Sequence, residues 1–172
     1  MSIKKKQISY SDTDRFSKII IDYLSKKESL KPFYNKFLSI QNLQNQAQNK
    51  VKLFSESNRK ALVNTLNAQY KNFETTSAVK ENLEKLSKKN SVTVTTGHQL
   101  NLMTGPLYFI IKIISTINIV EKLNSLNKEI NFIPVYWMAS EDHDFDEISS
   151  FNYKSDKINW QTNQTGPVGK MN

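Results

Sequence analysis

Residues 91–138, SVTVTTGHQLNLMTGPLYFIIKIISTINIVEKLNSLNKEINFIPVYWM, read as strand, helix, strand. Ser91 to Thr96 is β-branched and short, the pattern of a buried strand. A polar loop follows, and Gly105-Pro106 opens a helix running to about Asn124. Proline suits the first helical position because its missing N–H would be unpaired there anyway. Ile110, Ile111, Ile113, Ile114, Ile117, Val120 and Leu123 make this helix apolar over much of its surface, which predicts deep packing. Asn131 to Met138 is the second strand, with Pro134 expected near its start or at a bulge. Strand, helix and strand in this span make a βαβ unit with a parallel sheet, expected to be right-handed.

Working outward, residues 12–90 read as helices. Phe16, Ile19, Ile20, Tyr23 and Leu24 recur at helical spacing after a capping Ser11 or Asp12. Pro32 breaks that helix or begins the next, and the Asn/Gln-rich Gln41–Lys50 segment is a polar helix face or a loop. A third helix follows Ser57 and a fourth covers Thr76–Lys88. On the other side, residues 151–153 and 158–160 suggest a hairpin, and the tail from Gln164 reads as a loop. The fold class is therefore α/β: a helical segment over 1–90, then, over 91–172, the first βαβ part of a parallel sheet, with nothing in the tail to close the domain.

Composition narrows the function. The 172 residues include no cysteine, which removes disulfides, thiolate metal sites and thiol nucleophiles. The apolar run from Leu107 to Val120 is shorter than the roughly 20 residues a bilayer span needs, and residues 1–10 do not resemble a signal peptide. A cytoplasmic protein without a membrane partner is expected. The formal net charge of +8 is uneven: residues 1–90 hold 18 Lys/Arg against 8 Asp/Glu, and residues 91–172 hold 6 against 8. Single lysines spread along helices form no basic stripe, so nucleic acid is not the expected partner.

Both histidines lie just past the two strands, where ligands bind in open parallel sheets. In the first motif, Gly97 permits a tight turn or close backbone approach. His98 there can donate to a phosphate or carbonyl, oriented by Gln99 and Asn101. The helix start after Gly105 favours an anion; the alternative is that His98 caps a strand end and Gly105 starts a helix. The second motif packs Glu141, Asp142, His143, Asp144, Asp146 and Glu147 into seven positions. So many carboxylates repel one another unless a cation, donors or solvent relieve them. They suit a Mg²⁺ site, a substrate ammonium group, or simply an acidic helical turn starting near Asp144. His143 between two aspartates suits an imidazolium held by them or a general base, and a zinc site shared with His98 has no diagnostic spacing. Lys112 snorkels to a helix edge or points to the mouth of the site. Gly166-Pro167-Val168-Gly169-Lys170-Met171 imitates a phosphate loop but lacks its first glycine and last hydroxyl.

The runs Thr95–Tyr108 (TTGHQLNLMTGPLY) and Pro134–Glu147 (PVYWMASEDHDFDE) closely resemble the bacillithiol biosynthesis cysteine-adding enzyme family. The helical lead-in and Thr165–Lys170 are similar to that family's N-terminal region. Family members are longer, so the chain reads as an N-terminal fragment. The resemblance implies a ligase that joins cysteine to glucosaminyl-malate, with a Rossmann-like core and a C-terminal coiled coil that makes a homodimer. The core also resembles class I nucleotidyltransferases and aminoacyl-tRNA synthetases, which implies ATP and Mg²⁺ as cofactors. On this reading His98, His143 and Asp144 are catalytic. Gly97, Gln99, Asn101, Gly105, Tyr108, Glu141, Asp142 and Asp146 bind substrate or nucleotide. The alternative is a non-catalytic or split-enzyme fragment acting as a helical interaction module.

Overall fold

The computed structural model describes residues 4–99, 101 and 105–172; Leu100, Leu102, Met103 and Thr104 of the first motif fall outside them. The chain separates into two compact units, Met1–Leu43 and Gln44–Asn172. The compact unit that holds the strands thus begins well before the change of sequence character at Asn90.

In the first unit a 3-10 turn at Tyr10–Thr13 ends at Asp14, whose φ of 51° turns the chain. Helix α1 (Lys18–Leu24) starts after Ser17, so the helix predicted from Ser11 begins a turn and a half later. Phe16, placed on the helix by its spacing, precedes it and stacks edge-on against Tyr10. Pro32 lies inside a second 3-10 turn, Glu28–Phe33. Tyr23 packs against the rings of Tyr34 and Phe37.

Helix α2 (Ile40–Leu53) settles the Asn/Gln-rich segment as helix. Helices α3 (Glu56–Tyr70) and α4 (Ser77–Ser87) are capped by Ser55, which accepts from the Asn58 amide, and Thr76, which accepts from Val79. A side-chain cap of this kind contributes about 1 kcal/mol. Arg59 of α3 is buried and donates to the carbonyls of Leu86, Lys89 and Ser91. It thereby ties the end of α4 to the following strand. Of the apolar residues on α3, Leu62 and Tyr70 are exposed, and the arginine is the buried, anchored residue.

Strand β1 (Ser91–His98) runs parallel to β2 (Asn131–Met138), joined by α5 (Leu107–Leu126). β1 extends two residues past the predicted end, so Gly97 and His98 are strand residues. Pro106 is the residue before α5, in extended geometry, and not its first helical residue. Pro134 sits mid-strand opposite Val94, with no bulge. The Asn124 side chain bonds both the N–H and the C=O of Phe132, so those groups face away from β1. Two residues on, Pro134 has the same orientation, and its missing N–H removes no rung between the strands.

The deep packing expected of α5 is confined to one stripe. Thr116, Val120 and Leu123 are buried, whereas Leu107 is 71% exposed and Ile111 and Ile114 about half. Two strands cover only one face of a helix 20 residues long. Beyond β2, β3 (Ser150–Tyr153) and β4 (Asp156–Asn159) form the expected hairpin around a two-residue turn, with Lys154 in left-handed geometry. The acidic segment forms one 3-10 turn, Phe145–Glu147, not a helix. The tail docks: the Val168 and Gly169 amides donate to Asp142 and Ser140 carbonyls, and Val168 is buried. No helix among the described residues is long and apolar enough to cross a membrane.

Candidate active site

The parallel register places Gly97 beside Trp137 and His98 beside Met138. A Cβ on Gly97 would lie 2.9 Å from the Trp137 carbonyl oxygen and 3.1 Å from its Cβ, so glycine is what allows the strand ends to stay in register. The chain then turns at Ala139, whose amide donates to the His98 carbonyl. Tyr136 donates its hydroxyl to the same carbonyl at 3.1 Å, and burial holds its phenol above the usual tyrosine range.

The His98 side chain is only 7% exposed. Its Nε2 is 2.8 Å from the Tyr108 hydroxyl on α5 and 3.9 Å from a Glu147 oxygen. Its ring lies against those of Tyr108 and Phe109. Gln99 is buried and donates Nε2 to Glu147 at 3.0 Å. Among the described residues no partner faces its Oε1.

These residues line an open cleft of about 380 Å³ formed by Gly97, His98, Gln99, Tyr108, Lys112, Ala139, Asp142 and Glu147. Of the residues named from the sequence, Gly97, His98, Gln99, Tyr108 and Asp142 meet at its walls. Asn101 and Gly105 lie behind His98 in contact with one another. Glu141, His143, Asp144 and Asp146 are exposed and outside the cleft. Glu141 accepts from the Trp137 indole at 2.9 Å, and Asp142 accepts from the His143 amide. Lys112 points to the mouth. It sits at i+4 from Tyr108, a spacing compatible with either orientation, and its Nζ lies over the Tyr108 ring, 5.8 Å from the centroid. Glu147 was read as one acid among five and emerges as the carboxylate tied to β1.

The walls carry one ammonium, one imidazole and two carboxylates. That donor set suits a small ligand bearing both an anionic and a cationic group. Unlike Ser55 at α3 and Thr76 at α4, the residue before α5, Pro106, offers no side-chain acceptor to the first-turn amides; free first-turn N–H groups of a helix favour an anion. The set does not by itself fit a Mg²⁺–triphosphate group: among the described residues no three His, Asp or Glu side chains converge, and Lys112 is the cleft's single Lys or Arg. The phosphate-loop likeness near Gly169 also fails, because its amides are spent on Ser140 and Asp142. A second, largely apolar cleft of about 490 Å³ lies between Tyr136, Met138, Phe151 and Trp160.

A ligand cleft at the carboxyl ends of parallel strands joined by a helix defines a Rossmann-like α/β domain. The chain belongs to the BshC family of bacillithiol biosynthesis, whose N-terminal Rossmann-like domain matches residues 2–172. It is 51% identical over 164 residues to "Putative cysteine ligase BshC" of Flavobacterium johnsoniae. Proteins of the same name in Flavobacterium psychrophilum and Christiangramia forsetii are 49% and 48% identical over 165 and 153 residues. The matches cover 95%, 95% and 89% of this chain but 31%, 31% and 28% of those proteins. The chain thus spans about 31% of the length of the first two relatives.

Proposed function

We propose that this chain supplies half of the active site of a cysteine ligase that joins cysteine to glucosaminyl-malate through an amide bond. Family membership and the relatives' names support the reaction class. The observation that carries the assignment is His98, lodged at the end of β1 with Nε2 against Tyr108 and facing a cleft of mixed charge.

Amide formation from an activated cysteinyl donor (an acyl phosphate or adenylate) needs the acyl oxygen to be stabilised, the attacking amine to lose a proton, and the phosphate or nucleotide to leave the acyl carbon as the C–N bond forms. The His98 and Tyr108 donors, Lys112 and the first turn of α5 receive a carboxylate or the developing oxyanion. Asp142 and Glu147 hold the ammonium, and Glu147, oriented by Gln99 beside His98, accepts the proton. His143 and Asp144 line neither cleft; this reading assigns proton transfer to Glu147, 3.9 Å from His98.

The test is product formation from cysteine and glucosaminyl-malate by the full-length protein that carries this chain. His98→Ala and Glu147→Gln should each lower turnover by roughly 10²-fold or more, the scale of losing one transition-state donor, with the native fold retained by circular dichroism. Wild-type turnover in both variants overturns the proposal.

A further inference from the structure

We infer that Asn101 is a positioning residue that locks His98 in its neutral Nε2–H tautomer. Asn101 Nδ2 lies 2.9 Å from the Gln99 carbonyl oxygen and 2.7 Å from His98 Nδ1. A carbonyl oxygen only accepts, so the atom facing Gln99 is the amide nitrogen and not its oxygen. The second hydrogen of that NH₂ group then points at Nδ1, which must accept. The ring proton is left on Nε2, directed at Tyr108 and toward Glu147. The competing arrangement, Nδ1–H donating to the Gln99 carbonyl, would span a longer 3.3 Å. It would also set two hydrogens against each other across the 2.7 Å gap to Asn101. With the side chain 7% exposed, water has little say in the choice.

Gly105 belongs to the same device. It has a φ of 56°, and a Cβ there would fall 2.4 to 2.7 Å from Oδ1, Cγ and Cβ of Asn101. The glycine four residues on thus leaves the space in which the asparagine stands. Its place in the motif is set by His98 as much as by the start of α5. A fixed Nε2–H makes His98 a donor to an oxygen in the cleft, not a base. That consequence rests on the ligase reading; the position of the proton does not.

Nitrogen-15 NMR of the chain at alkaline pH, where an imidazole is neutral, tests the lock. The chain has two histidines, and His143→Gln assigns the signals. His98 should show a pyridine-type Nδ1, a pyrrole-type Nε2 and a coupling across the hydrogen bond to the Asn101 side-chain nitrogen. Asn101→Asp should reverse the tautomer, because a carboxylate recruits Nδ1–H. A pyrrole-type Nδ1 in the native chain, or an unchanged tautomer in Asn101→Asp, overturns the lock. In the full-length protein Asn101→Asp should also cost roughly 10²–10³-fold in turnover with KM little changed. The native tautomer as stated, together with full turnover in Asn101→Asp, keeps the lock and overturns the donor role in the ligase.

Discussion

Gln99, just beyond β1, donates its side-chain amide to Glu147, beyond β2, across 3.0 Å. The two polar motifs are therefore joined chemically as well as by the parallel register, and Glu147 is held facing His98. Because Glu147 occupies Nε2 of Gln99, the amide cannot turn over without setting two oxygens against each other. The wall between the two clefts is fixed by that pair.

Gly97→Ala should separate the strand ends. Its Cβ would meet the Trp137 backbone at 2.9 Å, and overpacking of this kind costs about 1–3 kcal/mol. Urea denaturation of the variant should show that loss, and the amides of Ala139 and Trp137 should shift in its NMR spectrum. An unchanged midpoint would mean that the strands do not approach as described.

Arg59→Met should destabilise the second unit by about 2–4 kcal/mol. It strands three carbonyl oxygens, and an unsatisfied buried polar group costs about 1–3 kcal/mol. Burial already holds the guanidinium below the usual arginine range, and among the described residues no carboxylate pairs with it. Chemical denaturation measures the effect; a loss under about 0.5 kcal/mol, the range of ordinary surface substitutions, would show that the carbonyls find other donors.

How much of this was legible in the sequence follows residue type. The β-branched run and its partner gave both strands, and the bounds of β2 match from Asn131 to Met138. Helices α3 and α4 lie close to where the sequence put them, although α3 starts at Glu56 with Ser55 as its cap, ahead of the Ser57 expected to precede it. What stayed hidden was long-range. Arg59 looked like one more surface charge, since nothing local shows that three carbonyls 27 to 32 residues away converge on it. The docking of Val168 and Gly169 onto Ser140 and Asp142 is likewise tertiary, and the tail read as loop. At the site, strand ends located the cleft, but density of charge singled out His143 and Asp144 over Glu147. All three are exposed; the bond from Gln99 and a place in the cleft wall separate Glu147 from the other two.

Tyr136→Phe should alter the alkaline limb of stability. Burial raises the Tyr136 phenol above its ordinary value of 10.0. The neutral phenol thus adds stability that is fully present below the ordinary tyrosine value and lost as pH rises through the raised one. The variant should be less stable by about 1 kcal/mol at neutral pH, for the lost bond to His98. It should also fall less steeply above pH 10, the ordinary phenol value. Thermal melts across that range check both parts; parallel curves would place Tyr136 in solvent.

The central claim is that the strand-end cleft receives the anionic substrate through His98 and Lys112. Isothermal titration of glucosaminyl-malate into the full-length protein, comparing native with His98→Ala and Lys112→Met, tests it most directly. Each variant should bind roughly tenfold or more weakly, about 1.4 kcal/mol, while retaining the native melting temperature. Native affinity in both variants would contradict the account and move the substrate away from this cleft.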